Sequence, residues 1–146
     1  MKKFLKRSAL VLLAILILIQ LYPYGRDHTN PPVTREPVWD TAATRELAVR
    51  ACYDCHSNET KWPWYASVAP MSWFVQDHVV DGRRHLNFSE WDRPQKHAYE
   101  ASGEVEGGWM PLESYVPLHP EAKLSQAEKA ALVKGLKATI GEKPRK

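Results

Sequence analysis

The chain has 146 residues, a net charge of +3, six tryptophans and two cysteines. Four basic residues at the amino terminus (Lys2, Lys3, Lys6 and Arg7) account for more than all of the charge, because the remaining 16 of the 20 basic side chains face 17 acidic ones. The rest of the chain therefore carries no basic stripe, which argues against nucleic acid as a partner. About 100 residues follow the amino-terminal segments, a length that suits one small domain.

An apolar run, Ala9–Ile19, follows the basic cluster, and two tyrosines, Tyr22 and Tyr24, extend it. This order is shared by cleaved signal peptides and by uncleaved signal anchors. Cleavage needs small residues after the run, and the residues that follow it are bulky. We therefore predict an uncleaved membrane-anchor helix over residues 1–24, with a cleaved peptide as the alternative. The positive-inside rule places the amino terminus in the cytoplasm and the rest of the chain on the other side of the membrane.

Residues 25–39 contain three prolines among polar side chains, which predicts an extended linker. The domain itself is predicted over residues 40–141, with a short solvated tail at 142–146. No stretch of this domain shows the alternating pattern of a strand. We therefore predict an all-α fold, a small helical domain with long loops behind a membrane-anchor helix.

Four helices are predicted in the domain from apolar periodicity and from start and stop signals. The last is the clearest, because Ser125 and Glu128 form a capping box before an apolar repeat. The first helix is predicted from Thr41 to about Ala51 with Asp40 as the cap, and the second from Met71 to about Asp81 with Gly82 as the stop. The third is predicted from Arg93 or Pro94 to Ala101, before a glycine-rich loop. The fourth follows Ser125 and is closed by Gly141.

Both cysteines lie in one short motif, Cys52-Tyr53-Asp54-Cys55-His56. The pattern C-x-x-C-H is the attachment signature of c-type haem. Each thiol can form a thioether with a vinyl group of haem, and the following histidine can supply an axial imidazole to the iron. The motif therefore predicts one covalent haem c, attached through Cys52 and Cys55, with His56 as the proximal ligand.

Three other interpretations compete for a C-x-x-C pair. A structural zinc site needs four protein ligands, and two would have to come from histidines that lack zinc-finger spacing. A thioredoxin-like redox pair lies near a βαβ pattern, which is missing here. A structural disulfide suits an exported protein but does not explain the adjacent histidine or the many aromatic residues.

The second axial ligand is predicted to be Met110. It lies in a glycine-rich loop well after His56 and precedes Pro111, which stiffens the loop. Methionine–histidine ligation is one of the common haem arrangements. Alternatives are His119, a member of the second helix (Met71 or His78), or an open position that takes water or a small ligand.

Several segments together resemble the bacterial haem-binding domain family of small exported c-type haem proteins. The resemblance implies a single haem, a membrane anchor, a periplasmic location and a cytochrome c-like helical core. Leu112 stands where members often carry a second proline. The matching segments are Ala51–Thr60, Trp62-Pro63-Trp64-Tyr65, Asn87-Phe88-Ser89-Glu90-Trp91, Met110-Pro111, Tyr115 and Leu118–Ser125.

These features favour an electron carrier that is held at the membrane near a redox protein partner, whose identity the sequence does not give. The alternative function is a haem-based sensor or ligand-binding protein with a displaceable sixth ligand. An enzyme such as a small peroxidase is not expected, because the domain shows no evident distal acid–base pair.

Overall fold

The computed structural model describes residues 1–141, and within that range the chain is helical and contains no strand. This confirms the predicted all-α fold with an apolar helix at the amino terminus. The α-helices are α1 (Lys2–Leu18), α2 (Ala42–Ala51), α3 (Tyr53–His56), α4 (Met71–His85), α5 (Ala101–Glu106) and α6 (Gln126–Ile140). Short 3₁₀ helices span Ile19–Leu21, Trp64–Ser67, Ala98–Glu100, Val116–Leu118 and Pro120–Ala122.

The chain forms two compact units, and the first contains Met1–Thr29 and Trp62–His78. Its main feature is α1 with the 3₁₀ turn that follows, a span of 20 residues over Lys2–Leu21 with a mean hydropathy of 2.1. None of this span is buried against the rest of the protein. Since about 20 apolar residues cross a bilayer, the helix is long and apolar enough to do so by length and composition.

The second unit contains Asn30–Lys61 and the chain from Val79 onward. Its apolar core joins α2, α5 and α6, and Leu132 and Leu136 of α6 are almost fully buried in it. The capping box of Ser125 and Glu128 starts α6 as predicted, and Gly141 ends it. The core residues are Ala48, Tyr53, Leu86, Phe88, Ala98, Val105, Leu124, Leu132 and Leu136.

The later part of the predicted linker is extended and is paired with the chain near residue 90. The backbone N–H groups of Thr34 and Arg35 both donate to the carbonyl of Ser89, and the N–H of Trp91 donates to the carbonyl of Arg35. These bonds form an isolated parallel bridge between Arg35 and Glu90. The predicted boundaries at residues 24, 39 and 141 stay predictions, and the tail at 142–146 lies outside the described residues.

Three local predictions are wrong. Thr41, not Asp40, caps α2, because the Thr41 hydroxyl accepts a hydrogen bond from the backbone N–H of Thr44. Gly82 lies inside α4, which continues to His85. The third helix begins at Ala101, where the prediction ended it, and Gly103 lies within it.

Glu128 is expected to stabilise the fold in a pH-dependent way. The backbone N–H of Ser125 and the guanidinium of Arg50 both donate to its carboxylate and lower its pKa to about 2. A carboxyl group with a lowered pKa stabilises the folded state above its ordinary pKa, and this contribution is lost as the pH falls. In denaturant unfolding at pH 7, Glu128→Gln should therefore have a lower free energy of unfolding than the wild type. This difference should shrink as the pH is lowered from about 4.5 towards 2.

The matched control is the exposed Glu113→Gln, which should leave the free energy of unfolding unchanged at every pH. Ser125→Ala removes the other half of the capping box and should cost about 1 kcal/mol. If the difference in free energy of unfolding between Glu128→Gln and wild type stays constant down to pH 2, a lowered pKa of Glu128 is not the source of the stability.

Candidate functional site

The C-x-x-C-H motif begins where α2 ends and occupies the single turn of α3. The N–H of Cys52 donates to the carbonyl of Ala48 at 2.8 Å, and the N–H of His56 donates to the carbonyl of Cys52 at 2.8 Å. Tyr53 turns into the core, where it is 3% exposed and stacks on Phe88 with ring centroids 5.5 Å apart. The motif is thereby wound tightly and fixed to the core through its first variable residue.

His56 is held by two backbone carbonyls from the end of α4. Its Nδ1 lies 3.0 Å from the carbonyl oxygen of Gly82 and 3.1 Å from that of Leu86. Carbonyl oxygens only accept hydrogen bonds, so Nδ1 carries the proton and donates it. Burial lowers the pKa of His56, which favours the neutral imidazole despite these two bonds. The lone pair of the ring is therefore on Nε2, the arrangement found in histidines that bind a metal.

Gly82 allows α4 to pass this close to the motif. A Cβ at this position would lie 2.3 Å from the carbonyl oxygen of Cys55 and 3.0 Å from its Cβ. The first contact is far shorter than packed atoms tolerate, and the second is tighter than most Cβ contacts. The absence of a side chain at Gly82 therefore brings its own carbonyl within reach of His56.

Both cysteines of the motif are free, and the pKa values of their thiols are raised. Burial raises the pKa of Cys52 to about 12, with a smaller contribution from Cys55. Burial also raises the pKa of Cys55 to about 11, and the neighbouring charge of Asp54 adds to it. Redox-active C-x-x-C pairs show the opposite, a lowered pKa. The raised pKa values of the two thiols therefore argue against the thioredoxin-like interpretation.

The donor set fits haem better than a bare metal ion. Within residues 1–141, no three His, Cys, Asp or Glu side chains converge to hold an ion. A structural zinc site requires four such ligands. Haem brings its own ring of nitrogens and asks the protein for axial ligands and, in the c type, for two thiols. Cys52, Cys55 and His56 provide two thiols and one oriented imidazole.

The second variable residue of the motif, Asp54, connects it to the loop that carries His119. The hydroxyl of Tyr115 donates to the Asp54 carboxylate, and the backbone N–H of Lys61 donates to its other oxygen at 3.0 Å. Burial, followed by this bond to Asp54, raises the pKa of Tyr115. The ring of His119 stacks on Tyr115 with centroids 3.8 Å apart, and its Nδ1 lies 3.0 Å from the Tyr115 carbonyl oxygen. His119 is thus linked to the motif through Tyr115.

Met110 borders the same core as the motif. It is partly buried, and both it and Cys52 pack against the apolar cluster of the second unit. The backbone N–H groups of Trp109 and Met110 both donate to the carbonyl of Glu104, at 3.0 and 3.1 Å, which fixes the turn after α5. The other candidates, Met71 and His78, lie on α4 in the first unit. The choice of Met110 as distal ligand stays a prediction.

The sequence reasoning missed the residues that support the motif. The sequence predicts Gly82 as a helix stop, whereas in the structure it makes room for Cys55 and orients His56. The roles of Leu86 and Tyr115 rest on a backbone carbonyl and on a distant loop, which leave no local pattern. The one available signal was a glycine followed by helix-forming residues, Arg83-Arg84-His85, which argues against a stop.

Gly82→Ala tests this support directly. The added methyl group collides with the backbone of Cys55, so α4 must move and the bonds to His56 Nδ1 must lengthen. We expect destabilisation of about 1–3 kcal/mol by thermal unfolding, as for other overpacked sites. The control is Gly103→Ala in α5, where nothing lies within 4 Å and the change should be neutral or stabilising. Equal stability of the two variants would refute the close approach.

A comparison with known families identifies a match to this chain. The family model described as "Haem-binding domain" matches residues 14–138, which include the C-x-x-C-H motif, Met110 and His119. No curated protein and no solved structure matches the chain. The match extends over most of the sequence. The chain belongs to the haem-binding domain family.

Proposed function

We propose that this protein is a membrane-anchored, periplasmic c-type haem protein that transfers electrons. The observation that carries the proposal is the state of His56. Its Nδ1 proton is donated to the carbonyls of Gly82 in α4 and of Leu86 just after α4. Its Nε2 lone pair is left as the ligand, one residue after the second of two free thiols. Family membership supports the haem, and the C-x-x-C-H spacing supports covalent attachment.

Each residue has a defined role in this proposal. Cys52 and Cys55 would hold the haem through thioethers, and His56 would supply an imidazole ligand to its iron. Met110 is the proposed distal ligand. The haem iron supplies the one-electron chemistry, while the protein supplies orientation, ligands and a partly apolar environment. Tyr53 and Asp54 keep the motif in one position, because the first is packed in the core and the second is bonded to Tyr115. No enzymatic reaction is assigned.

The proposed location follows from α1. The span Lys2–Leu21 is long and apolar enough to cross a bilayer, and four basic residues lie at its start. Such residues stay on the cytoplasmic side, so the haem domain is proposed to lie on the other side. Haem attached there is confined to the membrane surface, close to membrane-bound redox proteins.

Covalent attachment is tested by mass spectrometry of the purified protein. The wild-type chain should carry the mass of one haem that survives acid extraction, and its pyridine haemochrome spectrum should be that of a c-type haem. Cys52→Ala and Cys55→Ala should each leave one thioether and shift this spectrum to longer wavelength, and the double variant should lose its haem to extraction. Release of haem from the wild-type protein would refute covalent attachment.

Met110 as the distal ligand is tested by spectroscopy of the ferric protein. Wild type should show a sulfur-to-iron charge-transfer band that Met110→Ala lacks, and the reduction potential should fall, because methionine ligation raises it. The matched control is Met71→Ala, an exposed methionine of α4, which should change neither. His119→Gln should also keep the band.

The same spectra separate the alternatives. His119 would be assigned as the distal ligand by two results together. The wild-type protein would lack the charge-transfer band, and the His119→Gln variant would lose the low-spin spectrum that the wild type shows. Rapid carbon monoxide binding to the ferrous wild type would favour the sensor function, since the sixth position would then be displaceable. Peroxide turnover well above that of free haem would favour an enzyme.

A further inference from the structure

One segment of the first unit is unusual in composition. Residues 62–76 contain no Lys, Arg, Asp or Glu, whereas a quarter of the whole chain is charged. The segment carries three of the six tryptophans, together with a tyrosine and a phenylalanine. Tryptophan and tyrosine are enriched where a membrane meets water, because their rings are apolar and their edges polar. The haem site described above uses none of these side chains.

Hydrogen bonds fix this segment to the end of the α1 span. The side-chain amide of Gln20 donates to the carbonyl of Ala69 at 2.9 Å, and its oxygen accepts from the N–H of Ala69 at 3.0 Å. The side-chain amide of Gln20 thus both donates to and accepts from the backbone of the same residue, Ala69. Gln20 is the next-to-last residue of the span, so the segment lies where that span ends.

Further contacts hold the two parts together. Tyr22 packs edge-on against Trp73 with ring centroids 5.9 Å apart, and the Tyr24 hydroxyl donates to Asp77 at 2.6 Å. Gly25 has a positive φ of 76°, and a Cβ there would lie 2.2 Å from the carbonyl oxygen of Ser72. These bonds and close contacts leave the segment little freedom to move away from the span.

The outer surface of the segment is apolar. Four large apolar side chains are exposed, with Trp64 at 82%, Phe74 at 48%, Val68 at 46% and Met71 at 38%. The α1 span is equally uncovered, since none of it is buried. Exposed apolar surface of this extent marks a surface that meets another apolar phase. Because it continues from the end of a span that fits a bilayer, the same lipid can cover both.

We propose that residues 62–76 lie in the lipid interface beside the membrane span, with Trp64, Val68, Met71 and Phe74 inserted among the headgroups and upper acyl chains. This inference rests on the proposed membrane anchoring and adds a second membrane contact on the outer side. The first unit is then a membrane-embedded platform, and the span is only part of it. The occupant of the apolar surface is lipid, which covers exposed apolar side chains at the membrane interface.

The test uses the full-length, haem-containing chain in vesicles of phosphatidylcholine and phosphatidylglycerol that contain tritiated phosphatidylcholine. The photoreactive residue p-benzoylphenylalanine is placed at one position per variant: Leu12 in α1, Trp64 or Phe74 in the segment, and Tyr99 as the control. Tyr99 is 40% exposed, a fraction similar to the 48% of Phe74, but its neighbours in the sequence include charged residues. Each replacement is of an exposed apolar or aromatic side chain, which preserves the fold.

The proposal expects phospholipid adducts at Leu12, Trp64 and Phe74 that exceed the Tyr99 adduct several-fold. Labelling at Leu12 with Trp64 and Phe74 at the Tyr99 level would overturn the proposal and leave the membrane span intact. Crosslinks from Trp64 or Phe74 to a second copy of the chain, without lipid adducts, would overturn it in favour of a protein contact. Absence of labelling at Leu12 as well would overturn both the span and this surface.

Discussion

The site depends on one close approach, that of the end of α4 to the C-x-x-C-H turn. The carbonyls of Gly82 and Leu86 accept the Nδ1 proton of His56, and this fixes both the plane of the ring and the tautomer. The approach is possible only because position 82 has no side chain to meet Cys55. A metal-binding imidazole needs such partners, since a freely rotating ring would lose entropy on binding and would present either nitrogen.

The rest of the second unit keeps the motif in position from other sides. Tyr53 joins it to the apolar core, and Asp54 joins it to Tyr115. After the motif, Arg83 donates to the carbonyl of Ser57 at 2.8 Å and to the hydroxyl of Thr60 at 2.9 Å. Thr60 in turn donates to the carbonyl of Asp54 at 2.7 Å. These bonds hold Asp54, Ser57 and Thr60 in place and use neither thiol nor Nε2 of His56, so the motif is oriented while those three atoms stay available.

Some elements could be predicted because their signals are local. The start of α6 is such a case, since Ser125 and Glu128 satisfy each other's backbone groups within one turn. The predicted cap of α2 was wrong because Asp40 and Thr41 are both good caps. They differ in a longer-range bond, in which the N–H of Asp40 donates to the hydroxyl of Thr139. The prediction that Gly103 lies in a loop after the third helix was wrong for a related reason. A glycine inside a helix costs about 1 kcal/mol, and tertiary packing of α5 against α6 outweighs that cost.

By itself, the sequence determined the chemistry of this protein: two thiols and an imidazole at haem-attachment spacing, and an apolar helix of membrane-spanning length behind a basic cluster. These are properties of residue type and spacing, which every conformation of the chain retains. Only the tertiary structure decided which nitrogen of His56 is left to bind and how Tyr115 reaches Asp54. It also decided that α4 continues past Gly82. The bonds responsible join residues 26, 30 and 61 positions apart. No local pattern encodes such separations, because they arise only when the helices pack.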